Sequence, residues 1–224
     1  MEESTYVASK VIRLQDQLVF AKVNGRADTA LSRQFGIAGY PTIILLASTG
    51  EEIDRLWGYF PPDSFHQNVT NYLAGVGTLP DLEKQLTNEP ENIGLTMRVA
   101  EKYASRSQFE KSVELYKRVV AMDRENKSGK VPEAFYNAGD ALSRGKKFMI
   151  AKQYFQTLVE KYPASEQYND ALVEIPYQYE QAGDTASALK GYQQLLKDHP
   201  THPDSAWLRK RIEKFSAPAK ENNK

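Results

Sequence analysis

Phe135-Tyr136-Asn137-Ala138-Gly139-Asp140-Ala141-Leu142, followed at helical spacing by Phe148, Ala151, Phe155, Leu158 and Pro163, is the stretch that decides how this chain of 224 residues folds. Apolar residues return every three or four positions through both halves, the period of an amphipathic helix with one buried face. The second half carries its own rhythm. Small Ala151 is followed four residues on by a large ring, three further by Leu158 and five further by Pro163. Ala188, Tyr192, Leu195 and Pro200 repeat that spacing, and Ser112, Tyr116 and Val119 repeat all but the proline, with Arg124 in its place. Self-similarity at a fixed period is the mark of a repeat architecture, in which each unit buries its apolar face only by stacking on the next.

These offsets resemble the tetratricopeptide (TPR) repeat, in which each unit is two antiparallel helices. The resemblance implies an all-α solenoid over residues 92–216. The small residues Ser112, Ala151 and Ala188 would let helices approach closely, while Pro163 and Pro200 end the second helix of a unit. Residues 125–130 read as a longer loop between repeats. Ser205 to Phe215 reads as a helix capping the open end, and the polar tail 217–224 is expected to be disordered. Pro176 falls inside the first helix of the third unit. A proline there removes a backbone hydrogen bond and is expected to kink or break the helix at a cost of roughly 3 kcal/mol.

Repeats of this kind present a concave face built from their first helices. By register, Met97, Glu101, Tyr136, Asp140, Val173, Tyr177 and Glu180 line it. Tyrosines interspersed with carboxylates suit an extended peptide partner with some basic character. The same residues also read as solvated surface or inter-helix packing. The family's carboxylate-clamp variety uses Lys, Asn and Arg at set positions. Met97, Glu101, Asp170 and Glu174 occupy such positions here and only Asn137 fits, so clamp binding is not expected.

Residues 1–77 have a different pattern. A helix over 3–17, a short apolar strand Leu18–Val23, a helix 27–35 ending on Gly36, a strand from Thr42, a hairpin at Ser48-Thr49-Gly50-Glu51, a half-exposed alternating strand Glu52–Tyr59 and a helix from Pro61 to Leu73 give the order α-β-α-β-β-α. Between the second helix and second strand lies Gly36-Ile37-Ala38-Gly39-Tyr40-Pro41-Thr42, a turn whose shape is restricted by the X–Pro bond. With Phe20-Ala21-Lys22-Val23-Asn24 before it and Gly58-Tyr59 after it, this region resembles the C-terminal part of a thioredoxin fold. That resemblance implies a cis Tyr40–Pro41 bond and a groove formed by Tyr40, Pro41 and Thr42. The fold class expected for the whole chain is therefore α/β plus all-α: a partial thioredoxin-like domain at 1–77, a semi-rigid junction at 78–91, and the TPR solenoid.

The chain has no cysteine, so it holds no C-x-x-C pair, disulfide or thiolate metal site. Two readings follow. In one the chain is a protein-binding adaptor of thioredoxin-like ancestry. In the other it is a fragment of a thiol–disulfide oxidoreductase whose C-x-x-C lies upstream of Met1, and resemblance to secreted relatives places that parent outside the cytoplasm; a cytoplasmic location is the alternative. Equal numbers of Lys+Arg and Asp+Glu, 29 each, give no sign of nucleic-acid binding. No membrane span, cofactor or resident metal is expected. His199-Pro200-Thr201-His202 beside Asp198 and Asp204 resembles a ligand cluster, but its prolines favour a loop between the last repeat and the cap. The expected partner is a protein or peptide, and the residues leave the oligomeric state open.

Overall fold

The structure is a computed structural model that describes residues 1, 3–37 and 39–216; the tail expectation for 217–224 lies outside them. The chain divides into two compact units, Met1–Gln108 and Phe109–Lys224.

In the first unit, the expected helix over 3–17 is reduced to a short α1 (Ser9–Ile12) running into a 3-10 turn, Arg13–Asp16. Residues before it are held otherwise: the Thr5 hydroxyl is buried and donates to the Phe60 carbonyl at 2.6 Å. The apolar run Leu18–Val23 is not a strand. The sheet described contains only β1 (Thr42–Leu46) and β2 (Glu52–Trp57), paired antiparallel from Thr42 opposite Trp57 to Leu46 opposite Glu52. The 18–23 backbone lies outside that ladder, and Val19 is 97% exposed. Its apolar pattern favours a strand, but a strand without a paired neighbour gains nothing from it. Between these segments lies α2 (Thr29–Gln34), whose N-terminal cap is the Asp28 carboxylate accepting from the Leu31 amide at 2.9 Å. The Tyr40–Pro41 bond is cis.

The core of this unit joins Val11 and Leu14 to Leu56 of β2 and to Phe65, Val69 and Tyr72 of α3 (Pro62–Leu73). Two further helices follow: α4 (Leu79–Asn88), capped by Thr78, and α5 (Ile93–Ser105), capped by Asn92. Strand β2 departs from the expected half-exposed alternation. Asp54, Arg55 and Leu56 are consecutive and all buried. Leu56 joins the apolar core, whereas Asp54 and Arg55 are buried among charged partners described below.

The second unit is a TPR-like helical array. Helices α6 (Phe109–Met122), α7 (Val131–Arg144), α8 (Phe148–Lys161), α9 (Tyr168–Gln181), α10 (Thr185–Asp198) and α11 (Ser205–Ser216) each pack on the next. The residues that define the repeat spacing fill the interior. Ala151, Phe155 and Leu158 are fully buried with Val113 and Leu142, and Ala188, Tyr192 and Leu195 are buried with Leu208 of α11. Gly139 is required by packing, since a Cβ there would sit 2.7 Å from the Phe155 ring.

Pro176 does not break α9, which runs through it from Tyr168 to Gln181. The proline ring is buried against Gly191 of α10, where a Cβ would come within 2.7 Å of it. A missing side chain on one helix thus makes room for the ring on the other. The loop after α6 is closed by Asp123, which accepts from the amides of Lys127 and Ser128 and from the Ser128 hydroxyl.

Candidate functional site

The first helices of the second and third repeats, α7 and α9, bring carboxylates and tyrosines together. Tyr136 and Asp140 lie one helical turn apart on α7, and Asp170, Glu174 and Gln178 follow at the same spacing on α9. Their charges act on one another. Glu174 is pushed up to about 7 by loss of hydration, with further upward contributions from Asp140 and Asp170. The Tyr136 hydroxyl is pushed up by burial and by the same three carboxylates, and burial raises Asp140 too. Arg144 reaches Asp140 at 3.4 Å, yet 46% of the Asp140 side chain stays exposed. Asp140 and Glu174 are therefore partly enclosed by protein, while Asp170 is exposed.

Gln178 donates from Nε2 to a Glu174 carboxylate oxygen at 2.8 Å. Its side chain is fully buried, and its carbonyl oxygen Oε1 has no hydrogen-bond partner. A buried acceptor left unmatched is costly and rare.

Other residues of the expected face have different surroundings. Tyr136 stands edge-on to Phe155, with ring centroids 5.5 Å apart, so its ring is also core packing. Val173 packs against the Ala188–Tyr192–Leu195 cluster. Tyr177 is half-buried, its hydroxyl raised by burial and by Glu174 and Glu180. Glu180 is fully engaged: it accepts from the Tyr192 hydroxyl at 2.8 Å and from Arg211 at 2.6 Å, and that guanidinium lies over the Trp207 ring. In the first unit, Met97 is buried at 4% exposure, which leaves its side chain no contact surface, and Glu101 is exposed.

Around the Pro41 turn, Tyr40 is half-exposed, its ring beside Gly25 and under the Arg26 guanidinium. The Thr42 hydroxyl donates to the Gly39 carbonyl at 2.7 Å, and the Pro41 carbonyl accepts from the Gly58 amide at 2.9 Å. Both of these polar groups serve the turn itself.

The sequence reading missed the most heavily bonded site of the first unit. Asp54 is fully buried and accepts four hydrogen bonds: from the Arg55 and Leu79 amides at 2.6 and 2.9 Å, from Arg106 at 2.7 Å and from Lys102 at 2.9 Å. Lys102 also donates to the Tyr72 hydroxyl at 2.7 Å, and its pKa is lowered by burial despite Asp54. Burial pushes the Tyr72 hydroxyl up to about 12. Arg55 donates to Glu52 and to the Phe35 and Ser105 carbonyls. Every lone pair of Asp54 is matched, which describes an anchor for β2. A charged pair inside a strand otherwise read as half-exposed is the one signal that pointed here.

The histidine cluster holds no ligand arrangement. His202 is buried, its Nδ1 accepting from the Asp204 amide at 3.0 Å and its Nε2 paired with the Asn169 carbonyl at 3.1 Å. With both ring nitrogens engaged by backbone, it orients the turn into α11. Among the described residues no group of acidic and histidine side chains is placed to hold a metal ion, and no helix is long and apolar enough to cross a membrane.

Comparison with known proteins bears on the repeat region. Residues 128–209 match the family model YfiO, described as an outer membrane lipoprotein. No curated protein matches the chain. Among solved structures, nearly identical TPR-like repeats ascribed to a kinesin light chain of Podosopora anserina superpose with a TM-score of 0.52 at 13% identity, covering 68% of this chain and 81% of that one. MamA superposes with a TM-score of 0.47 at 17% identity, covering 70% of this chain and 92% of that one. At 13% identity the likeness to the kinesin light chain repeats is one of fold, and the fold it supports is a TPR-like helical repeat.

Proposed function

We propose that this chain is a protein-interaction module whose repeats hold an extended, basic segment of a protein partner along the first helices of the second and third units. The observation that carries the reading is the meeting of Tyr136, Asp140, Asp170, Glu174 and Tyr177 on α7 and α9. Tyrosines supply contact area at low entropic cost, and open carboxylates favour a cationic strand of peptide. Met97 and Glu180 act in packing and in the Arg211 pair, and the working surface is the α7–α9 portion of the face. The family match to an outer membrane lipoprotein is compatible with an extracytoplasmic location.

The test is capture on an array of extended peptides graded in charge. Tyr177→Ala combined with Asp140→Asn is expected to abolish capture of the basic members while circular dichroism stays unchanged. Tyr136→Phe is the control, because it keeps the ring on Phe155. Capture that persists in the double variant sinks the reading.

For residues 1–77 we propose thioredoxin-like ancestry, with 78–91 as junction and 92–216 as repeats. The run α2, β1, β2, α3 and the Gly-Tyr-Pro-Thr turn between α2 and β1 support that ancestry. Without a cysteine the chain has no thiol to exchange. Insulin reduction by this chain is expected at background, and turnover above background refutes the reading of a chain without thiol exchange.

A further inference from the structure

We infer that the first unit pairs with a second copy of this chain by strand exchange: the apolar segment Leu18–Val23 of each copy joins the open edge of β1 in the other. The inference goes beyond the α7–α9 face and does not depend on it.

The open edge is set by the ladder. The Pro41 carbonyl accepts from the Gly58 amide, Thr42 stands opposite Trp57, and Ile44 stands opposite Arg55. Bonded and non-bonded pairs alternate along an antiparallel ladder. Thr42 and Ile44 therefore turn their backbone N–H and C=O groups away from β2. Among the described residues no strand lies on that side, and no backbone bond reaches either residue from it. Edge strands ordinarily carry a charge or a proline that discourages further pairing. Thr42-Ile43-Ile44-Leu45-Leu46 carries neither, whereas its partner β2 holds Glu52, Asp54 and Arg55. A continuous apolar run is the composition of an interior strand covered on both faces.

Burial points the same way. Among the described residues from Gln15 to Ile53 none is buried, although they include Leu18, Phe20, Val23 and all of β1. Burial resumes at Asp54, Arg55 and Leu56 of β2. The apolar strand is thus less covered than the charged strand beside it. Apolar surface left open on this scale marks an interaction site.

The occupant comes from the same stretch. Leu18–Val23 has the composition of a strand but no place in a ladder, and Val19, Phe20 and Val23 are exposed. Its ends are tied within its own copy. At one end the Leu18 amide donates to the Leu14 carbonyl at 2.9 Å; just past the other, the Ser32 hydroxyl donates to the Gly25 carbonyl at 2.7 Å. The middle is presented to solvent and stays out of its own ladder. Each copy therefore offers one unpaired edge and one unpaired strand-former. Mutual exchange uses both and closes as a two-fold dimer. A formal net charge of zero puts little repulsion between the copies.

The experiment uses the full chain. Sedimentation is expected to show a species of twice the single-chain mass within a concentration series reaching about 1 mM. NMR on a mixture of nitrogen-15-labelled and carbon-13-labelled copies is expected to show intermolecular proximity between residues 18–23 and 42–46. The Ile44 amide should exchange with solvent about tenfold or more slowly in the dimer than on dilution. Val19→Lys combined with Val23→Lys alters two exposed side chains, so circular dichroism should stay unchanged while the chain becomes monomeric and the Ile44 amide loses its protection. Three outcomes overturn the inference: a chain still monomeric at about 1 mM, a dimer that survives the double lysine variant, or an Ile44 amide protected in the monomer by its own 18–23 segment. Tyr177→Ala with Asp140→Asn should leave the dimer intact, so loss of peptide capture and loss of self-association are read separately.

Discussion

The two units bury carboxylates in opposite ways. In the first, Asp54 is wholly out of water and fully matched, held by two cations and two backbone amides. In the second, partly buried Glu174 is pushed up by loss of hydration and by Asp140 and Asp170, beside a buried Gln178 carbonyl oxygen without a hydrogen-bond partner. A matched buried charge fixes structure, because removing either partner strands the other. An under-matched cluster destabilises the free protein, and it is where a ligand carrying the missing donors gains most. The contrast separates an anchor from a site more sharply than residue type does, since both are built from acidic side chains on regular elements.

The largest expected effect tests the anchor. Asp54→Ala leaves Lys102 and Arg106 buried without their shared counter-ion and should destabilise the first unit by about 3–5 kcal/mol. Each unit has one tryptophan, Trp57 and Trp207. Urea unfolding followed by Trp57 fluorescence in a Trp207→Phe background reads the loss directly. A midpoint unchanged by Asp54→Ala would mean the network is incidental.

The next asks whether the second unit is as exacting in shape as the first is in charge. Gly191→Ala puts a methyl group 2.7 Å from the Pro176 ring. Overpacking of this kind costs about 1–3 kcal/mol, read by thermal melting with Trp207 as reporter. A neutral outcome would show that α9 and α10 can part without loss.

The smallest effect has the opposite sign. Glu174 has a higher pKa folded than unfolded, so the native chain holds a proton that the unfolded chain releases from about pH 4.5 upward. Its contribution to stability is therefore greatest below about pH 4.5 and declines as pH rises to about 7, after which it is flat. Glu174→Gln removes that decline. It should stabilise the second unit by about 1–2 kcal/mol at pH 8, discounted because water reaches part of the carboxylate, and by little at about pH 4. Stabilisation on losing the carboxylate, paired with loss of basic-peptide capture, is the pattern expected of a ligand site. Equal stability at both pH values would put Glu174 with the solvated carboxylates and erase the contrast.

The repeat architecture was legible because its signal is local and periodic. Ala151, Phe155 and Leu158 are buried as their spacing foretold, and so are Ala188, Tyr192 and Leu195. Pro176 was legible as an irregularity but not as a tolerated one, because its accommodation depends on Gly191 in another helix. Leu18–Val23 shows the reverse failure: its composition favours a strand, but pairing needs a neighbour that composition does not reveal. The candidate face was half legible. Tyr136, Asp140 and Tyr177 follow from register alone, whereas Gln178, buried against Glu174, looks in sequence like any polar helix residue.

The sequence by itself determined the helical period, the repeat spacing and the lack of any cysteine among these residues. Each of these depends on residues close in the chain or on composition. Tertiary structure alone decided which carboxylates are matched. Asp54 is neutralised by Lys102 and Arg106, some fifty residues away in sequence, while Glu174 meets Asp140 from another helix and is pushed up rather than down. A charge's role depends on what lies within a few ångströms of it, and those neighbours are brought there by the packing of elements distant in the chain.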